Sequence, residues 1–236
     1  MKKILIIAAK ELGLLFRSPI AYVALIVMMC VFNVFFYMIV SQNQEASLRD
    51  IFKVMEFMFI FFIPLLTMKV FSEEYKSGSI EFLMTAPVTN TAIVCGKYLG
   101  SLLFFTLFIG LTFVYYIILE VFSAPDQLAV LSGYFGVWCE GAFFLSIGVM
   151  TSSWTRNQII AAIFSYIIIL SLYMVMTLLP YLNGSLEGVV RYMCTLTHIE
   201  NFVSGIIHTS DVVYYLTGVV VCLMLTQIKI ENRLWR

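Results

Sequence analysis

Few residues of this chain could do chemistry, and they stand apart. Residues 71–87, FSEEYKSGSIEFLMTAP, gather four charges, Glu73, Glu74, Lys76 and Glu81, around a Ser-Gly-Ser turn and end on a proline. Glu140 interrupts the apolar run Leu131 to Met150. His198 and His208 are ten apart with no cysteine beside them, a poor start for a zinc site. Cys30, Cys95, Cys139, Cys194 and Cys222 contain no Cys-x-x-Cys pair, so they read as small core residues, not as a disulfide or metal framework. The one Gly-Lys, Gly96-Lys97, follows Thr91 where a phosphate-binding loop needs its first glycine. His-Glu-x-x-His, Gly-x-Ser-x-Gly and paired haem histidines are all missing from the sequence. The expectation is a chain that is not an enzyme, with no catalytic, cofactor or metal residues. Any energy source is then a gradient or another chain.

The elements that hold these residues are apolar. The sequence is 61% hydrophobic and 12% charged, with mean hydropathy +0.97. A soluble domain carries about 25% charged residues, so these side chains are too few to solvate a globular surface, and the solvent is lipid. A net charge of zero and no basic stripe argue against nucleic acid as a partner. Uncharged or nearly uncharged runs predict six spans at about 20–40, 54–70, 98–119, 131–150, 159–179 and 212–228. The second contains Glu56, Pro64 and Lys69, so a kink at Pro64 and a snorkelling Lys69 are expected.

Ahead of them, residues 2–17 read as an amphipathic interfacial helix. Lys3, Lys10 and Arg17 recur every seven residues, and Ile4, Ile7, Leu14 and Leu15 fall away from that stripe. With the N-terminus inside, only Arg49, Lys53 and Arg191 of the 14 lysines and arginines lie outside, which makes both termini cytoplasmic. The fold class is therefore all-α integral membrane. The external segment 186–208 is expected to be helical, because Thr197-His198-Ile199-Glu200 spells a capping box before the apolar run Phe202 to Ile207.

Within the polar stretch, Ser79 can cap a short helix through Met84, with Glu81 in its first turn and Pro87 ending it. Thr89 or Asn90 then caps the helix that enters the membrane. By spacing alone this is either a solvated hairpin or a rigid knuckle projecting into the cytosol.

The longer stretch FSEEYKSGSIEFLMTAPVTNTAIVCGKYLG resembles the cytoplasmic loop of ABC-2 type exporter permeases. In that loop an acidic pair, a Gly-Thr/Ser-Ile-Glu turn, a Pro-Val and a Gly-Lys follow one another. KELGLLFRSPIAYV near the start, TSSWTRNQIIAA at 151–162 and LTHIENFVSGIIHTSDVVYYL at 196–216 are similar too. The last is most like the gliding-motility and nitrous-oxide-reductase-maturation branch.

The resemblance implies a single transmembrane domain over 1–236 that forms half of a homo- or heterodimer in a bacterial cytoplasmic membrane. A separate cytoplasmic ATPase, which binds the ATP and Mg, would dock on the coupling loop 71–97. By the same resemblance Glu73, Glu74, Gly78, Ser79, Ile80 and Glu81 form the coupling element, flanked by Lys10, Glu11 and Arg17. The implied activity is export, or force transmission to a periplasmic companion protein.

Glu140 departs from the family pattern, which has an apolar or small residue there. It is a polar point in a translocation path or dimer seam, or a neutral acid hydrogen-bonded to a neighbouring helix. The alternative function is a gradient-driven secondary transporter using Glu140. Phe104, Phe105, Phe108, Tyr115, Tyr166 and Tyr173 are either lining for a hydrophobic path or packing.

Overall fold

The computed structural model describes residues 2–43, 47–80, 88–123, 125–181 and 185–234. Glu81, Met84 and Pro87 lie outside these residues, and with them most of the expected helix from Ser79. Among the described residues all regular structure is helical: α1 Lys2–Arg17, α2 Pro19–Asn43, α3 Arg49–Thr67, α4 Ser72–Ser77, α5 Asn90–Phe122, α6 Gln127–Ser152 and α7 Gln158–Met174. A 3-10 turn, Val175–Tyr181, extends α7 and is followed by α8 Ser185–Met193, α9 Thr195–Val203 and α10 Thr209–Leu234. Six segments among the described residues are long and apolar enough to cross a membrane: Pro19–Ser41, Arg49–Ser77, Asn90–Phe122, Gln127–Ser152, Gln158–Thr177 and Thr209–Asn232.

Local chemistry sets the breaks between helices. Pro19 opens α2 at a position where its missing N–H costs nothing. Thr89, not Asn90, caps α5, its Oγ1 accepting from the Ala92 amide at 3.3 Å. Asp126 Oδ1 accepts from the Leu128 and Ala129 amides at the start of α6, and Asn157 Oδ1 accepts from Ile159 at the start of α7. The capping box at 197–200 does not form. α9 starts earlier, at Thr195, and Thr197 Oγ1 donates back to the carbonyls of Arg191 and Cys194. Its end comes at Gly205, whose φ of 86° allows the Ile206 and Gly205 amides to reach the carbonyls of Asn201 and Phe202.

α6 is the inner helix. Every residue from Cys139 to Ser153 is buried, and α3, α5, α7, α9 and α10 all pack on it. Over its most apolar stretch α6 is 78% buried within the chain, whereas α2 is 17% buried, so α2 presents its side chains to lipid or to another subunit. Phe104, Phe105, Phe108 and Tyr115 are core residues, and the Tyr115 hydroxyl donates to Asn33 Oδ1 at 2.9 Å. Tyr166 donates to the Phe61 carbonyl and lies tilted against the Phe61 ring, and Tyr173 lies tilted against Phe57, so these aromatics pack rings against rings. Cys139, Cys194 and Cys222 are buried as free thiols.

Contacts between helix ends show that the spans run alternately up and down. The start of α5 meets the end of α10 where Thr91 Oγ1 donates to Gln227 Oε1, and the end of α3 meets the end of α6 at Ser152. These ends, with α1 and α4, form the α1 end of the bundle. At the opposite, α9 end, Gly136 of α6 lies against Phe202, and Gly205 lies against Ala129.

Candidate functional site

At the α1 end, one lysine joins three elements. Lys97 lies in the second turn of α5 and is only 2% exposed. Its ammonium has three protons and three oxygen partners: Glu11 Oε2 of α1 at 3.1 Å, Glu74 Oε1 of α4 at 3.0 Å and the Val70 carbonyl at 2.7 Å. The Phe71 ring centroid is 5.1 Å from the same nitrogen. Lys10, out in solvent, reaches Glu74 Oε1 at 3.5 Å, so two carboxylates meet two ammonium groups. Burial holds the Glu11 carboxyl above its ordinary value of 4.5, against the pull of Lys97.

The backbone around this cluster is built for close approach. α1 runs beside the first turns of α5, with Ile7, Ala8, Glu11 and Leu15 turned inward. This stripe differs from the expected one, because Leu14 is exposed and Glu11 is inside. The reason is glycine on α5. A Cβ at Gly100 would sit 2.6 Å from Glu11 Cβ and 2.8 Å from the Ala8 carbonyl, so only glycine lets α1 come near enough for Glu11 to reach Lys97. The turn between α3 and α4 is latched to α6 by one hydroxyl. Ser152 Oγ accepts from the Phe71 amide at 2.9 Å and the Ser72 amide at 3.2 Å, and donates to the Met68 carbonyl at 3.1 Å. Ser72 Oγ donates to that same carbonyl.

Beside the cluster opens a cleft of about 510 Å³. Lys10, Glu11, Arg17, Glu73, Glu74 and Ser79 all line it, together with Lys69 and Lys97. Six residues singled out from the sequence thus share one cleft. Glu73 and Ser79 are exposed, and Ser79 Oγ is 2.9 Å from Ser77 Oγ. Gly78 ends α4 at φ 73°, and Ile80 turns inward as core. The sequence reading missed two features here, the helix α4 itself and Lys97 as the hub. The available signal for the hub was a lysine at the mouth of an apolar span, which needs an acid to enter protein.

A second polar cluster lies toward the α9 end. Glu140 is 0% exposed, and neither of its carboxyl oxygens has a hydrogen-bond partner among the described residues. The bond to a neighbouring helix weighed for it is therefore not made there. Glu56 on α3, read from the sequence only as an interruption, is also buried, with Oε1 unpartnered, and lies within electrostatic reach of Glu140. Above them, His198 Nδ1 is 2.7 Å from Asp211 Oδ1, and His198 Nε2 is 2.9 Å from the Tyr192 carbonyl. Asn201 Nδ2 donates to Asp211 Oδ2, which ties α9 to the start of α10. His198 belongs to this clamp, and His208 is exposed outside it. No group of three or more metal-binding side chains occurs among the described residues.

Compared with known proteins, no curated sequence matches the chain. A family model described as "ABC-2 family transporter protein" matches residues 5–228, nearly the whole of it.

Proposed function

The chain belongs to the ABC-2 family of transporter proteins, and from that premise we propose that it is the permease subunit of an exporter powered by a separate cytoplasmic ATPase. Family membership makes it the membrane component of an ABC transporter, a multi-pass protein that is not itself catalytic. The observation that carries the finer reading is the Lys97 junction, where α1, the α3–α4 turn and α5 meet beside an open, charged cleft.

The α1 end faces the cytosol in this reading, supported by the concentration of lysine and arginine on that side. The ATPase seats on α4 and the cleft, touching Glu73, Glu74 and Ser79, with Lys10 and Arg17 at the rim. By resemblance Glu81 also belongs to the coupling element. Closure of the ATPase on ATP displaces α4. Lys97 ties that movement to α5, whose 33 residues span about 50 Å, and Ser152 ties it to the inner helix α6. A rigid path thus leads from the cytosolic surface through the membrane.

A second permease subunit, identical or homologous, completes the assembly in a bacterial cytoplasmic membrane. The work done is export, or force passed to a companion on the far side. The 196–216 stretch, similar to the gliding-motility and nitrous-oxide-reductase-maturation branch, supports the latter role.

Two substitutions test the docking surface. Glu73→Lys puts a cation in the first turn of α4, at a local cost of about 0.3–1 kcal/mol, and reverses the charge offered to a partner. Gly78→Pro demands a φ near −65° where the chain has 73°. Both variants should reach the membrane in normal amounts and lose ATPase co-purification, or keep it with hydrolysis uncoupled from export in vesicles. Full binding and full coupling in both would reduce the segment to a solvated hairpin.

A further inference from the structure

We propose that Glu56 and Glu140 together bind a monovalent cation inside the membrane domain: a proton shared by the two carboxyls, or an alkali ion in its place. These two acids lie apart from the cleft to which ATPase docking is assigned.

Enclosure comes first. Glu140 is 0% and Glu56 3% exposed, on two helices packed directly against each other. Glu140 Oε1 and Oε2 and Glu56 Oε1 are without hydrogen-bond partners among the described residues. So is Thr195 Oγ1, at the buried first position of α9. Thr195 is linked to the acids through Tyr215, whose hydroxyl donates to the Thr195 carbonyl at 3.3 Å and lies within electrostatic reach of both. Three carboxyl oxygens within electrostatic reach of one another, and one hydroxyl on the helix above, are thus shut away from solvent without a partner among the described residues.

Among the described residues the surroundings supply no such partner. Lys53 acts on Glu56 from one turn earlier on α3, but its side chain is 62% exposed and pairs with Asp50 at 3.5 Å. Glu200 on α9 adds negative charge near Glu56. The remaining titratable groups in reach are weak acids, the hydroxyls of Tyr173, Tyr214 and Tyr215 and the Cys194 thiol. The His198 ring stacks on Tyr214, and the His198–Asp211 pair is taken up by its own contact and by the Tyr192 carbonyl and Asn201. A buried carboxylate without a counter-charge is costly by several kcal/mol, and two within electrostatic reach of each other are costlier. A bound cation removes that cost.

The donor set decides its class. All four orphan atoms are oxygens, hard donors that suit a proton or an alkali ion. Zinc and other transition metals favour nitrogen and sulfur donors, and the described residues hold no group of three His, Cys, Asp or Glu side chains for a metal ion. Occupancy would draw α3 and α6 together beneath α9, and loss of the cation would push like charges apart there. The α9 end would therefore answer to cation concentration independently of nucleotide.

The test uses the full-length chain in lipid nanodiscs, buffered with N-methylglucamine at neutral pH. Infrared spectra report protonated carboxyls, and thermal melting reports ion binding as sodium or potassium is added. A shared proton gives a protonated-carboxyl band that either Glu56→Gln or Glu140→Gln shifts and the double variant abolishes. An alkali site gives a melting temperature that rises with sodium or potassium in the wild type and not in the double variant. Wild-type protein with neither a protonated-carboxyl band nor a cation-dependent melting shift overturns the proposal. So does a band or shift that persists unchanged in a folded double variant.

Discussion

Lys97 sits where a lone charge could not survive, and its three oxygen partners explain why it does. A buried ion cluster adds little net stability over an apolar packing of equal shape, because desolvation offsets attraction. Its effect is to specify which elements meet. Removing one partner is a different matter. Lys97→Ala leaves Glu11 and Glu74 facing each other without their ammonium, and the loss should be about 3–5 kcal/mol. Thermal unfolding in detergent should register it, and adding Glu11→Gln and Glu74→Gln should restore part of the loss. Lys53→Ala, which breaks an exposed pair, should change stability by less than about 1 kcal/mol. If the two lysine variants melt alike, the junction is not the anchor described. Neither the identity of the acid that meets Lys97 nor the nearness of Glu56 to Glu140 could be read from the sequence, because contact across 86 or 84 positions leaves no trace in local spacing.

Elements were legible to the extent that one solvent explains them. The six spans announce themselves as uncharged runs, since lipid asks for little more than length and apolar surface. Lipid also hides what lies inside the bundle. A helix apolar all round does not show which face is buried, so α6 could not be singled out as the inner helix. α4 was illegible for another reason. Ser-Glu-Glu-Tyr-Lys-Ser has no apolar repeat, and its helix rests on Glu73 and Glu74 at the start, Lys76 at the end and the left-handed stop at Gly78. At 197–200 a motif was present and tertiary contact overrode it, because Thr197 met the Arg191 carbonyl instead. The approach of α1 to α5 makes a prediction at this scale. Gly100→Leu would drive a side chain into Glu11 and the Ala8 carbonyl, so α1 should lift from α5 while the six spans remain. Limited proteolysis after Arg17 should quicken sharply in that variant, and unchanged cleavage would mean that α1 is not held by this contact.

At the scale of the whole molecule, the chain has two polar ends joined by an apolar bundle. One end holds a charged cleft with a buried lysine junction, and the other holds a helix clamped by His198 and Asp211 above two enclosed acids. Family membership fixes the class of machine, and the function proposed for it divides the labour, with the ATPase below and the exported cargo or companion above. Photo-crosslinking in intact cells tests that division most directly, with the reactive side chain placed singly at Glu73 on α4 and at Val189 on α8, both exposed and at opposite ends. The expected result is an adduct with a nucleotide-binding subunit from position 73 and none from position 189. An ATPase adduct from position 189, or none from position 73 in an assembled complex, would contradict the proposed coupling site.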